Sequence, residues 1–184
     1  MLVVVAALLA LLSPLAGLRA PGALLRDWRA APVAWVALAL QVLVIEVGVA
    51  ATLAPVLHLA SYGLAATFLW ANRASRPLWL LSAGATSNGV TILLNGGVLP
   101  SSAAATAAAG FEPDVAFLNS AVLPDPVLPW LGDVFAWPAP MPLANTFSIG
   151  DVVVVAGVVA LAWSGSRPLR QPSGPSEQTL SSTA

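Results

Sequence analysis

Arginines divide this chain into long stretches almost free of charge. No charged side chain occurs from Met1 to Leu18, from Pro77 to Phe111, or from Val152 to Ser166. Between Arg29 and Arg73 the one charged side chain is Glu46. As a helix, roughly 20 apolar residues suffice to cross about 30 Å of hydrocarbon. The composition points the same way. Charged residues make up 8% of the 184-residue chain, hydrophobic residues 58%, and mean hydropathy is +0.87. A soluble domain carries about 25% charged residues, because its surface must stay wet. Such a chain is expected to be solvated by lipid.

Five spans are predicted: Leu2–Leu18, Val33–Ala54, Pro55–Ala71, Leu78–Val98 and Ile149–Ser164. Pro55 separates the second from the third, which reads as a tight helical hairpin, since proline ends one helix and opens the next. Arg19, Arg26 and Arg29 follow span one, Arg73 and Arg76 follow span three, and Arg167 and Arg170 follow span five. All seven cations thus fall on one side of a five-span protein. The positive-inside rule makes that side cytoplasmic. The expected location is the inner (plasma) membrane of a bacterium, multi-pass, with the N-terminus outside and the C-terminus inside. Trp28, Trp35, Trp70, Trp79 and Trp163 cluster near the inner ends, as an interfacial aromatic belt does. No positive residue precedes span one and Pro21 follows Ala20, so span one reads as a retained helix, not a cleaved signal.

The expected fold class is all-α: a polytopic membrane helix bundle over residues 1–165, with an ordered extracytoplasmic cap over 99–148. The cap carries Pro100, Pro113, Pro124, Pro126, Pro129, Pro138, Pro140 and Pro142 beside Phe117, Leu128, Trp130, Phe135, Trp137 and Met141. A disordered linker would not hold so many large apolar groups. Ser101–Ala109 reads as a short serine-capped, alanine-rich helix. Trp137–Pro142 reads as extended, since residues before proline avoid the helical region. Residues 166–184 are polar and rich in Pro and Ser, and read as a disordered cytoplasmic tail.

Several function classes are excluded. The chain has no cysteine and one histidine, so thiolate chemistry, disulfides and multi-histidine metal sites within one chain are out. A net charge of −1 without a basic run gives nucleic acid nothing to bind. Neither GxGxxG nor a Gly-Lys-Ser/Thr phosphate loop occurs. No cofactor and no metal are implied. The expected partners are the lipid bilayer and an unidentified protein or lipid-like ligand at the outer face.

Two constellations carry potential chemistry. Glu46 and His58 fall within a turn of each other on the facing arms of the hairpin. An intramembrane carboxylate is a functional candidate by default, though a hydrogen-bonded pair that glues the hairpin explains it as well. The second lies at the outer rim, where Asp133 and Asp151 can meet near Asn88 and Asn95. Two carboxyls that share a proton can activate a water, one as acid and one as base. Caps and turns account for the same residues. Ser148-Ile149-Gly150-Asp151 is a capping-box pattern, Gly132-Asp133 suits a turn, and Asn95-Gly96-Gly97 suits a helix end. The leading expectation is binding of a partner or lipid-like ligand at the outer membrane face. An aspartyl peptidase with Asp133 and Asp151 as catalytic pair, and Asn88 or Asn95 positioning substrate, is the alternative. A small transporter or transporter subunit built on Glu46 and His58 is a third.

Two resemblances bear on these readings. Leu94-Asn95-Gly96-Gly97-Val98-Leu99-Pro100, Leu131-Gly132-Asp133 and Asn145-Thr146-Phe147-Ser148-Ile149-Gly150-Asp151, with the span layout over residues 1–165, resemble an uncharacterised family of bacterial multi-pass membrane proteins. That resemblance implies the fold and no activity. A second, limited to motifs, is to the lipoprotein signal peptidases. Their outward-facing Asn-x-Gly motif is similar to Asn88-Gly89 or Asn95-Gly96-Gly97, and their two aspartates are similar in order and side to Asp133 and Asp151. The resemblance implies an aspartyl peptidase acting at the outer membrane surface. The chain departs from that pattern in lacking Asn and Ala before Asp151 and any Arg between Arg76 and Arg167.

Overall fold

The structure, a computed structural model, describes residues 2–44, 49–50, 52–112 and 120–169. It is mostly helical. In chain order the elements are α1 (Leu2–Leu12), β1 (Arg19–Ala20), α2 (Ala31–Val42), α3 (Ala54–Ala71), α4 (Leu78–Leu94), β2 (Leu99–Pro100), α5 (Ala103–Ala108), β3 (Ser120–Ala121), β4 (Phe135–Trp137), β5 (Asn145–Phe147), α6 (Ile149–Trp163) and β6 (Arg167–Pro168). Among the described residues, α3 is long and apolar enough by itself to cross a membrane. The other long helices are apolar and shorter.

The helix ends differ from the predicted spans for local reasons. Span one leaves the α-helix after Leu12, and Ser13–Gly17 continues as a 3₁₀ turn. Pro14 has no N–H for an α-helical bond, and the Ser13 hydroxyl donates to the Ala10 carbonyl instead. Span four stops at Leu94, because Gly96 and Gly97 take φ of 69° and 98°. A side chain at Gly97 would also run into Pro55.

Helix α6 is the centre of the bundle, packed against α4 on one side and α1 on the other, while α2 packs on α3. The α4–α6 contact is made by glycine. A Cβ at Gly84 would lie 2.7 Å from the Val154 nitrogen, and one at Gly157 would lie 2.6 Å from the Leu81 nitrogen. Small residues bring the two backbones together, and van der Waals contact follows over the whole length.

Among the described residues most buried side chains are small or polar, with Val44, Leu69, Leu78, Ile92 and Leu99 as the large apolar exceptions, and many large apolar side chains are exposed. Ala10, Ala37, Ala54, Ala162, Ser61, Asn88, Thr91 and Ser148 are buried, whereas Leu9, Trp35, Val56, Trp70, Trp79 and Leu93 are exposed.

The three arginine-bearing segments converge on one end of the bundle. Strand β1 pairs antiparallel with β6, so Arg19 lies opposite Pro168. Arg19 donates to the Ser166 hydroxyl and carbonyl, and Arg26 donates to Ser75 and Ser164. Asn72, just past α3, exchanges two hydrogen bonds with the Arg29 backbone. Residues 166–169 are therefore ordered, a correction to the expected tail. The residues beyond them lie outside the described ones.

The cap closes the opposite end. Parallel pairing of β2 with β3 and antiparallel pairing of β4 with β5 hold it together, and the rings of Phe135 and Phe147 stack at 5.4 Å. Helix α5 forms as predicted, with the Ser102 hydroxyl accepting from the Ala105 amide as its N-cap. The segment Trp137–Pro142 corrects its prediction. Only Trp137 belongs to a strand, and the chain then turns, with Met141 donating to Pro138 and Ala144 to Met141. Those turns return the chain so that β5 can pair with β4.

Candidate functional site

Helix α4, the β4–β5 hairpin and the start of α6 bring a polar cluster together directly beneath the cap. Strand β5 runs straight into α6. Thr146, at its middle position, points inward, and Ser148 follows as the N-cap of α6. Strand alternation and the cap requirement thus deliver two hydroxyls to one place.

Ser148 and Asp151 form a complete capping box. The Ser148 hydroxyl accepts from the Asp151 amide at 3.0 Å, and the Ser148 amide donates to Asp151 Oδ2 at 2.9 Å. Asn88 of α4 completes the group by donating from Nδ2 to Asp151 Oδ1 at 2.8 Å. The single Ser148 hydroxyl proton has two acceptors in reach, Asn88 Oδ1 at 3.0 Å and Asp151 Oδ2 at 2.9 Å. Gly150 is required here, because any Cβ at that position would overlap the Asn88 side chain.

Asp133 sits on a different support. Its amide donates to the Pro100 carbonyl at 2.8 Å, and its carbonyl accepts from the Ser102 amide at 3.0 Å. The preceding Gly132 packs against the Pro100 carbonyl with no room for a side chain. The carboxyl is buried at 4% exposure, so Asp133 is no surface turn residue. Oδ2 accepts from the Thr146 hydroxyl at 3.2 Å, while Oδ1 is buried without a partner. Ser120 is close enough to favour the charged form, yet its hydroxyl makes no hydrogen bond of ordinary geometry. Burial, and then the nearby charge of Asp151, push the Asp133 carboxyl up to about 7. The Thr146 and Ser120 hydroxyls pull the other way and lose.

The other predicted site residues fall elsewhere. Asn95 does not join Asn88. Its side chain pairs with the backbone of Val127, donating to the carbonyl at 2.9 Å and accepting from the amide at 2.8 Å. It also donates to Thr91 at 2.7 Å, so it fastens the cap loop to the end of α4. His58 is buried, with Nδ1 3.3 Å from the Gly97 carbonyl and its ring edge-on to Tyr62. Glu46 lies outside the described residues. Among those described, no three of His, Asp and Glu cluster as metal ligands.

Tyr62 was not singled out by sequence, although it is the chain's only tyrosine. Its hydroxyl lies near Asn88 and within electrostatic reach of both aspartates. Its ring also lines a groove of about 640 Å3 between α3 and α4. The groove runs from Arg73, Trp70 and Trp79 at the arginine end to Leu59 and Leu93 near the cap, floored by Gly63, Ala66, Ala85 and Gly89. Tyr62 is therefore the side chain shared by the polar cluster and the groove.

No curated protein and no solved structure matches the chain. A family model does, over residues 25–163, which include α2, α3, α4, the cap and α6. The match takes in Asn88, Asp133, Ser148 and Asp151 alike, and the chain belongs to the family of unknown function DUF5317.

Proposed function

We propose that the chain is a multi-pass membrane protein that binds a lipid-like ligand in the groove between α3 and α4. The groove carries the reading. Its volume of about 640 Å3 lies within the ~300–1,000 Å3 of small-molecule sites, and its lining is almost wholly apolar. The inverted burial pattern supports the membrane. Lipid solvates large apolar side chains and leaves small and polar ones for helix contacts. The convergence of all arginine segments on one end supports a cytoplasmic assignment for that end and an outer assignment for the cap. The helices shorter than a full span fit a bundle whose ends are completed by 3₁₀ turns and cap segments. The test is retention of lipid through purification. Full-length protein in mild detergent is expected to carry bound lipid by native mass spectrometry. Ala66→Phe, which fills the groove from its α3 wall, is expected to lose it.

A second reading, aspartyl hydrolysis at the outer face, is favoured by one observation: the buried Asp133 carboxyl, whose Oδ1 has no hydrogen-bond partner and which feels the charge of Asp151. In it, protonated Asp133 polarises a substrate carbonyl, and the Asp151 carboxylate takes a proton from the attacking water. Against it, both Asp151 oxygens already hold donors from Asn88 and Ser148. Under hydrolysis, Asp133→Asn and Asp151→Asn each abolish cleavage in a folded protein. Under capping, Asp151→Asn keeps one acceptor oxygen for the Ser148 amide, loses the other toward Asn88, and so affects stability alone.

A further inference from the structure

The groove between α3 and α4 has one charged lining residue, and it stands at one end. Arg73 follows the last turn of α3, opposite Leu78 and Trp79 at the start of α4. Its guanidinium lies 4.6 Å from the centre of the Trp70 ring, and Nη1 donates to the Trp70 carbonyl at 3.0 Å. One of its five donors is thereby used, and among the described residues it pairs with no carboxylate. No aspartate or glutamate lines the groove. Trp70 and Trp79, 70% and 68% exposed, flank the same end. From Leu78 to Leu93 the groove follows α4 for about 22 Å at 1.5 Å per residue, roughly the depth of most of a bilayer's hydrocarbon.

The structure assigns this groove a lipid with an anionic headgroup: one acyl chain lies along α3 and α4, and its phosphate is held by Arg73 between Trp70 and Trp79. The assignment rests on the lipid-like reading above and adds the headgroup and its end. Charge complementarity selects the occupant. A planar guanidinium with free paired donors matches a phosphate, whereas a zwitterionic choline headgroup brings a cation to the same spot. The tryptophans supply the amphipathic rim that interfacial headgroups occupy. The small residues Gly63, Ala66, Ala85 and Gly89 leave the width a chain needs, and nothing stands within 4 Å of a Cβ built at Gly63.

The experiment uses the full chain exchanged into nanodiscs of equimolar phosphatidylglycerol and phosphatidylcholine with matched acyl chains. It is then released for native mass spectrometry. Wild type is expected to retain phosphatidylglycerol over phosphatidylcholine by about fivefold, the scale of one partly exposed charge pair. Arg73→Gln is expected to bring the ratio to about one, still with lipid bound. Arg76→Gln, a neighbouring exposed arginine outside the groove, is expected to leave the ratio unchanged. Equal retention of the two lipids by wild type, or a preference that survives Arg73→Gln, overturns the headgroup assignment and leaves the groove reading standing. A wild type that carries no lipid, or Ala66→Phe that carries as much as wild type, overturns the groove reading itself.

Discussion

Helix α4 has two faces, and they meet their neighbours in opposite ways. On one face, Gly84 and Asn88 meet α6 so closely that the backbones touch. On the other, Ala85 and Gly89 meet α3 across an open groove. Both faces are built from small residues, so small residues alone do not close an interface. The α6 face adds glycine on the opposing helix, Gly150 and Gly157, and a side-chain link from Asn88 to Asp151 and Ser148. The α3 face holds Tyr62 in the gap, its ring 3.0 Å from where a Gly89 Cβ would stand. A bulky ring props apart helices that small residues would otherwise let close.

The largest break in this contrast comes from Gly157. A leucine there would drive its side chain into the Leu81 backbone, which cannot move without carrying α4 with it. Gly157→Leu is expected to cost at least about 3 kcal/mol, at the upper end for overpacking. Thermal unfolding in detergent, or failure to accumulate folded protein, reads the effect. A variant as stable as wild type would mean that the α4–α6 contact is loose enough to admit a side chain.

Next comes the polar link. Asn88→Ala removes the donor to Asp151 Oδ1 and an acceptor for Ser148, at a position 3% exposed. A buried carboxylate oxygen left without its donor costs about 2–3 kcal/mol. Asn95→Ala makes the paired control, because its bonds hold the cap loop rather than a helix contact. It is expected to speed amide exchange at Val127 while leaving the melting temperature nearer to wild type.

These contacts explain what was legible in the sequence and what was not. Helix positions were readable, because apolar runs and their Arg, Pro and Gly boundaries are local signals. The capping box at Ser148 and Asp151 was readable for the same reason, since both partners lie within one helical turn. The partner of that box, Asn88, was readable only as one of two asparagines seven positions apart. Seven positions put both on the same side of α4, about two turns apart, so periodicity does not separate them. What does is that Asn95 caps the last turn, where the chain leaves the helix at Gly96 and meets the cap loop, and that meeting depends on packing. Burial of Asp133 was hidden too. It arises from pairing of Gly132 and Asp133 with Pro100 and Ser102, distant in sequence. The groove left no sequence signal, because it exists where two helices fail to touch.

Asp133 gives a pH test of the buried cluster. Its folded carboxyl titrates near 7, above the ordinary 3.8, so between those values the folded state holds a proton that the unfolded state has released. Stability therefore falls as pH rises through that window and is lowest once Asp133 ionises beside Asp151. At ~1.4 kcal/mol per unit over about two units, the protein is expected to lose on the order of 2 kcal/mol between pH 5 and pH 7. Asp133→Asn cannot ionise and is expected to flatten that slope. A variant whose melting temperature keeps the wild-type pH dependence would assign the slope to another group.

The smallest effect sharpens the other side of the contrast. Gly63 lies inside α3, where glycine is a weaker helix former than alanine by about 1 kcal/mol. A Cβ built there has nothing within 4 Å, unlike one at Gly84, Gly150 or Gly157. Gly63→Ala is therefore expected to raise stability by up to about 1 kcal/mol. Gly84→Ala, the same substitution on the closed face, is expected to lower it, because its Cβ would meet the Val154 backbone at 2.7 Å. Opposite signs for one substitution on two helices would separate the propped interface from the closed one. If Gly63→Ala also lowers stability, α3 and α4 approach more closely than the groove allows, and Tyr62 does not hold them apart.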